Sequence, residues 1–365
     1  MRSRFVEPDV QAILDEANFL PECAAKNALL ERAASYAETL GDLDTAWSAR
    51  CQILSSSSSH ESPKFETLFV CLAWCLAVSD REPQRFRADS VLWQYKWVAT
   101  AAPEYASVPR SVLGRIVDDM DERFQRAGWG RRAALQKRLE QSLLTGDLHA
   151  ARELVAPWRA APRDRGADCL ACETSTLVAM FAELGDDDAA LKEARPVISG
   201  RLSCATVPHS TFGDLLLPLT RMRKHADARS LYDRGRRLVA GMEEGGCTLS
   251  SPYLLHAAFL GEAEQVTDIL RARLPQAASL RSDLDRAEWF RNAAGAMEFL
   301  IRRGVAAIES PRVPGVCEGG ECEVGALRDG FGAIASVHAS ALDARNGNRY
   351  YTKLQETLVA MYGGG

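Results

Sequence analysis

No window of this chain approaches the ~18 uncharged apolar residues that a membrane span needs. The first residues, MRSRFVEPDVQAILDEANF, hold no apolar core of signal-peptide length and meet acids early. A cytoplasmic protein without a membrane partner is the expectation. Its ten cysteines should then be mostly reduced, so their spacing is read for metal or catalysis before disulfides. β-branched residues are sparse and polar–apolar alternation is rare, which argues against a sheet-based fold. A sustained basic run is also missing. Lys and Arg number 44 against 49 Asp and Glu, for a net charge of −5. A nucleic-acid or anionic-membrane partner held mainly by charge is therefore not expected. The linear signatures of catalysis are absent too. No Gly-rich phosphate loop follows a strand, and there is no G-x-S-x-G or H-E-x-x-H. A triad scattered along the chain would escape such a search, but the reading is of a non-enzymatic protein.

What is present is helix-forming sequence. Hydrophobic residues make up 47% and charged residues 25%, the balance of an ordered soluble protein. Ala, Leu, Arg and Glu dominate, all good helix formers. Helices are predicted over 10–18, 24–40, 43–54, 65–79, 86–101, 108–127, 131–144 and 148–158. Two more lie between Cys169 and His209, two meet near Arg223-Lys224, and another pair turns at Gly261-Glu262. One long helix is predicted over 282–303, with Trp289, Phe290 and Phe299 as core contacts. Two last helices part at Asn346-Gly347-Asn348. Pro218 should kink or start a helix. The serine run 55–59 and PRVPGVCEGGECEVG read as loops. Trp74, Trp93 and Trp97 fall at helical spacing and read as core.

The strongest signal is internal repetition. The turns Gly41-Asp42, Gly146-Asp147, Gly185-Asp186, Arg223-Lys224 and Gly261-Glu262 align. Five residues after each first turn position stand Ala46, Ala151, Ala190, Ala228 and Val266. Small side chains there let the second helix of a pair pack closely on the first. The last four turns are spaced 39, 38 and 38 residues apart.

Here the chain resembles the tetratricopeptide repeat family, whose turn places a Gly five residues before an Ala. Gly41/Ala46, Gly146/Ala151 and Gly185/Ala190 match. Arg223/Ala228 lacks the Gly and Gly261/Val266 lacks the Ala. The spacing also exceeds the family's period of about 34. The resemblance implies an all-α fold, a superhelical array of antiparallel helix pairs (an α-solenoid) with a concave groove lined by first helices. A HEAT-like solenoid fits nearly as well. The expected organisation is an N-terminal capping helix within 1–20, repeats over 21–275, a C-terminal helical cap over 276–362 and a flexible tail at 363–365. The turn alignment places Glu31, Arg32, Gln136, Lys137, Glu140, Ser175, Asp214 and Arg221 in the groove. These give no Lys/Asn clamp of the kind that some members use to hold C-terminal carboxylates.

The cysteine pattern that stands out is Cys169-x2-Cys172-x31-Cys204-x4-His209. Thiolate and imidazole suit zinc, and a structural zinc site is closed by four ligands. In a stacked array Cys172 and His209 begin neighbouring first helices, so the four side chains can meet as a staple. Reduced cysteines filling gaps, with His209 capping a helix, are one alternative. Redox chemistry at Cys169-x-x-Cys172 is another, but it calls for a strand before the motif, and RAAPRDRGAD is none. Cys317 and Cys322 read as part of a mobile surface loop, with a redox-sensitive pair, or half of a metal site with Cys247, as alternatives. Cys71 and Cys75 read as core, and His256 and His338 as satisfied, partly buried histidines. The run 186–188 of aspartates reads as helix capping. The functional expectation is a scaffold that binds a protein or peptide partner in a pre-ordered groove. A ligand- or peptide-sensing regulator and an enzyme with a scattered or cysteine-based site are the alternatives.

Overall fold

The computed structural model describes residues 9–56, 64–242 and 245–362. Most of the serine run and the 363–365 tail lie outside them. The described residues are all-α, with 17 α-helices and one two-stranded hairpin. No helix among them is long and apolar enough to cross a membrane.

The chain divides into two compact units that interleave in sequence. The first holds residues 1–102, 113–137 and 161–166. Its helices are α1 (Val10–Phe19), α2 (Ala24–Thr39), α3 (Leu43–Ser55), α4 (Phe65–Arg81) and α5 (Leu92–Ala101), with most of α6 (Arg110–Arg126) and the start of α7 (Arg132–Leu144). Successive helices from α1 to α5 pack on one another. The tryptophans predicted as core are only half-buried here. The Trp74 indole donates to Glu38 at 2.8 Å and lies under Arg50. Trp93 carries the buried Lys96 ammonium 3.6 Å from its ring centroid, and Lys96 donates to the Gly166 carbonyl at 2.9 Å. The predicted helix over 86–101 starts late, because a 3-10 turn at Ala88–Ser90 takes its first residues. Cys71 and Cys75 are buried, as predicted.

The second unit holds residues 103–112, 138–160 and 167–365. It contains α8 (Leu148–Ala160), α9 (Leu170–Glu183), α10 (Asp187–Ile198), α11 (His209–Arg221), α12 (His225–Ala240), α13 (Gly246–Leu260), α14 (Ala263–Ala278) and α15 (Asp283–Arg302). α16 (Val324–Asn346) and α17 (Tyr350–Met361) complete it. From α9 to α17 each helix packs on the next, and α9, α11, α13 and α15 also pack in succession. Their apolar faces form one continuous core, in which Trp289 and Phe290 are buried as expected. Phe299 joins the same core.

The five aligned turns share one backbone geometry. Gly41, Gly146, Gly185 and Gly261 have φ between 70° and 84°, and Arg223 has φ 58°. In each turn the next residue's amide closes back on the fifth carbonyl before it, as in Asp147→Ser142 at 2.8 Å and Lys224→Leu219 at 2.8 Å. This is the left-handed helix ending that glycine favours. Asp42, Asp147 and Asp186 then cap the following helix through their carboxylates. Ala46, Ala151, Ala190, Ala228 and Val266 are all buried, which explains the preference for small residues there.

The loop predicted after α15 is instead a hairpin. β1 (Ala307–Ser310) pairs antiparallel with β2 (Gly320–Glu323), and Cys317 and Cys322 are joined by a disulfide. Ile308, Val313 and Cys322 are buried against the helical core, and this burial fixes a segment whose glycines and prolines read as irregular. Pro218 does not break α11 but lies within its last turn. Having no N–H, it leaves the Asp214 carbonyl without its i+4 donor.

Candidate functional site

Cys169 is the N-cap of α9, and its sulfur accepts the Cys172 amide at 3.4 Å. That geometry places Cys172 one turn into the helix, on the same side. Cys204 comes from the connection between α10 and α11, where its amide closes on the Val207 carbonyl at 2.9 Å. The three sulfurs lie within 4.8 Å of one another. A tetrahedral zinc ion with bonds of about 2.3 Å holds sulfurs about 3.8 Å apart, so the group is close enough to bind a metal. Burial raises the Cys169 thiol, but the Cys172 amide and the thiols of Cys172 and Cys204 pull it below its usual value. Cys172 is raised, by burial and by the two neighbouring sulfurs. The cluster thus favours one negative sulfur stabilised by its neighbours.

His209 is not in this group. α9 and α11 touch through Ser175, whose hydroxyl lies 3.3 Å from Ser210 and accepts from Thr211 at 2.9 Å. His209 is instead buried at the start of α11, with no hydrogen-bond partner on either ring nitrogen. Its backbone carbonyl accepts the Tyr253 hydroxyl at 2.5 Å. Burial lowers the imidazole's pKa.

A second feature of the same unit is a cleft of about 320 Å³. Residues of α7, α9, α11, α15 and α17 line it. Its polar groups are Glu183, Asp214, Glu288, Tyr350 and Tyr351. Burial, then the charges of Glu288 and Glu183, push Asp214 up to about 7. Glu288 also rises to about 7: burial is the main cause, Arg291 opposes it, and Glu183 and Asp285 add to it. Tyr350 donates to the Glu183 carboxylate, and Tyr351 to the Leu144 carbonyl at 2.8 Å. The Asp343 carboxylate caps α17 through the amides of Tyr351 and Thr352, each at 2.9 Å, and the Tyr350 amide donates to the Asn348 side chain at 3.2 Å. Glu104 and Asp285 are also raised, burial being the first cause for each.

No family model, curated protein or solved structure matches this chain. The site is therefore read from its own chemistry.

Of the residues placed in the groove by sequence, Asp214 lines the cleft. Glu140 lies near enough to Glu104 to raise it. Ser175 is spent between α9 and α11. Arg221 is held by Asp187 at 2.5 Å and donates to the Ala182 carbonyl. Gln136 and Lys137 are buried, not presented to a surface. Glu31 and Arg32 are exposed on α2 in the first unit. Asp186 caps α10, as predicted for the aspartate run. His338 pairs with Asp283 at 2.8 Å. His256 is buried with both nitrogens unpartnered, contrary to the satisfied histidine expected there. Sequence reading missed Glu183, Glu288, Tyr350 and Tyr351. The last three fall after residue 275, in the stretch assigned to a cap, and extending the first-helix alignment into α15 was the signal available.

Proposed function

We propose that this protein is a non-enzymatic helical-repeat scaffold, similar to tetratricopeptide repeat proteins, that binds a cationic segment of a protein or peptide partner. The regular left-handed turns and the succession α9–α11–α13–α15 support a solenoid of helix pairs. The observation that carries the ligand class is the cleft: three carboxylates converge with two tyrosines and apolar side chains from five helices. Asp214 and Glu288, near half-protonated at neutral pH, become fully charged when a Lys or Arg side chain arrives. Tyrosine rings offer the face that a guanidinium stacks on. A pre-formed cleft reduces the ordering cost of such a segment. Cys169, Cys172 and Cys204 would hold zinc between the starts of α9 and α11.

The test is fluorescence anisotropy with labelled peptides of matched length that are Lys/Arg-rich, neutral or acidic. Cationic peptides should bind tightest, more weakly as salt rises, and Asp214→Asn with Glu288→Gln should weaken them about tenfold or more. Equal binding of all three classes, or no effect of the double substitution, refutes the reading.

A second reading has one observation in its favour. Carboxyl groups pushed to about 7 suit general acid–base work. If Asp214 and Glu288 transfer protons, a hydrolase screen should find turnover that Asp214→Asn abolishes. A blank screen leaves the binding role.

A further inference from the structure

The three sulfurs reach one point from two separate segments, the entrance of α9 and the connection into α11. They form a group of three, and among the described residues no His, Asp or Glu joins them as a fourth. His209, the sequence's own choice for that place, is buried in the core at the start of α11. Cys169 and Cys204 are exposed and Cys172 is half-buried, so the mouth of the group faces solvent. Structural zinc sites are closed by four protein ligands, whereas sites with three protein ligands keep an open position. Thiolates select soft or borderline ions over oxygen-seeking ones.

We propose that Cys169, Cys172 and Cys204 form an open metal centre that binds one zinc ion through three thiolates and takes its fourth ligand, a nitrogen donor of the imidazole class, from outside the chain. This deepens the zinc reading above and rests on it. Binding is redox-neutral: three S–H bonds are lost, three protons go to solvent, three Zn–S bonds form, and all but one of the ion's waters leave. The complex carries a net charge of −1, and the remaining water is the ligand that exchanges for the imidazole. A neutral imidazole adds no further charge at the exposed mouth, whereas a fourth thiolate would take it to −2. The centre is thus a docking point for a histidine-bearing ligand and not a sealed staple.

The experiment is cobalt(II) titration of the full-length, reduced protein under anaerobic conditions, followed by addition of imidazole. One equivalent should bind, with sulfur-to-metal charge-transfer absorption of three-thiolate intensity. Imidazole should shift the d–d bands without changing that stoichiometry. His209→Ala should keep both the spectrum and the affinity within about twofold. Cys204→Ser should weaken binding by more than the ~10–100-fold that loss of an outer-shell partner costs. Four-thiolate intensity, d–d bands unmoved by imidazole, or loosened binding in His209→Ala overturns the open position and leaves a closed zinc site. No cobalt or zinc binding overturns the metal reading as a whole. Circular dichroism of each variant separates loss of a ligand from loss of fold.

Discussion

Arg223 has φ 58°, in a chain whose other left-handed positions among the described residues are glycines. It stands where four aligned turns place Gly, and its backbone adopts the same bonds as theirs. The left-handed conformation costs an L residue roughly 1–2 kcal/mol, and glycine's larger unfolded-state entropy returns about 0.5–1 kcal/mol of any gain. Arg223→Gly should therefore stabilise the protein by ~0.5–1 kcal/mol, read as a higher midpoint in urea. An unchanged or lower midpoint would mean that the arginine side chain makes a compensating contact. The register of this turn was legible without its glycine, because Ala228 and the spacing to Gly185 and Gly261 fixed it. His256 shows the opposite case. Its helix could be read, but its place beside Tyr232 of the preceding helix and Tyr362 after α17 depends on other elements, the second of them far off in sequence.

At the scale of elements, the pairing of α12 with α13 depends on Gly235. A methyl group built there would lie 2.1 Å from the Tyr253 hydroxyl oxygen and 2.6 Å from two of its ring carbons. Tyr253 cannot retreat easily, since it is buried and its hydroxyl is held by the His209 carbonyl. Gly235→Ala gains helix propensity but overpacks this crossing, at a cost of about 1–3 kcal/mol. The expected result is a lower melting temperature; the paired variant Gly235→Ala with Tyr253→Leu should recover part of it. A melting temperature raised by Gly235→Ala alone would show that the helices separate without cost. Helices of this kind were readable because ten or more residues repeat one pattern. The β1–β2 hairpin was not. Its strands are four residues each, β2 begins with Gly and carries Glu at two positions, and only packing on the helical core distinguishes it from a loop.

At the scale of the molecule, the cleft collects Glu183, Asp214, Glu288 and Tyr350 from four helices. No local spacing announces that convergence, so the sequence showed Asp214 alone. The cysteine group was more legible, because two of its members are three residues apart and the α9–α10 pair returns the chain to the third. The cleft has a thermodynamic signature. Asp214 and Glu288 titrate near 7 when folded, above their ordinary values of 3.8 and 4.5. Between these limits the folded state binds more protons than the unfolded state, so their contribution to stability falls as pH rises from about 4 to 7 and stays low above. His256 acts in the other direction. Burial, with Arg229 and His225, lowers it to about 4 from 6.5, so stability tied to it is lost as pH falls through that range. Asparagine at 214 and glutamine at 288 imitate the protonated acids at every pH. The double variant should then melt at nearly the wild-type temperature at pH 4.5 and well above it at pH 8, with the gap opening between. Adding His256→Phe to it should make stability rise less with pH between 4 and 6.5. A wild-type and double variant that melt in parallel across the whole range would show that folding does not raise these carboxyls, and would remove the electrostatic basis for a cationic ligand in the cleft.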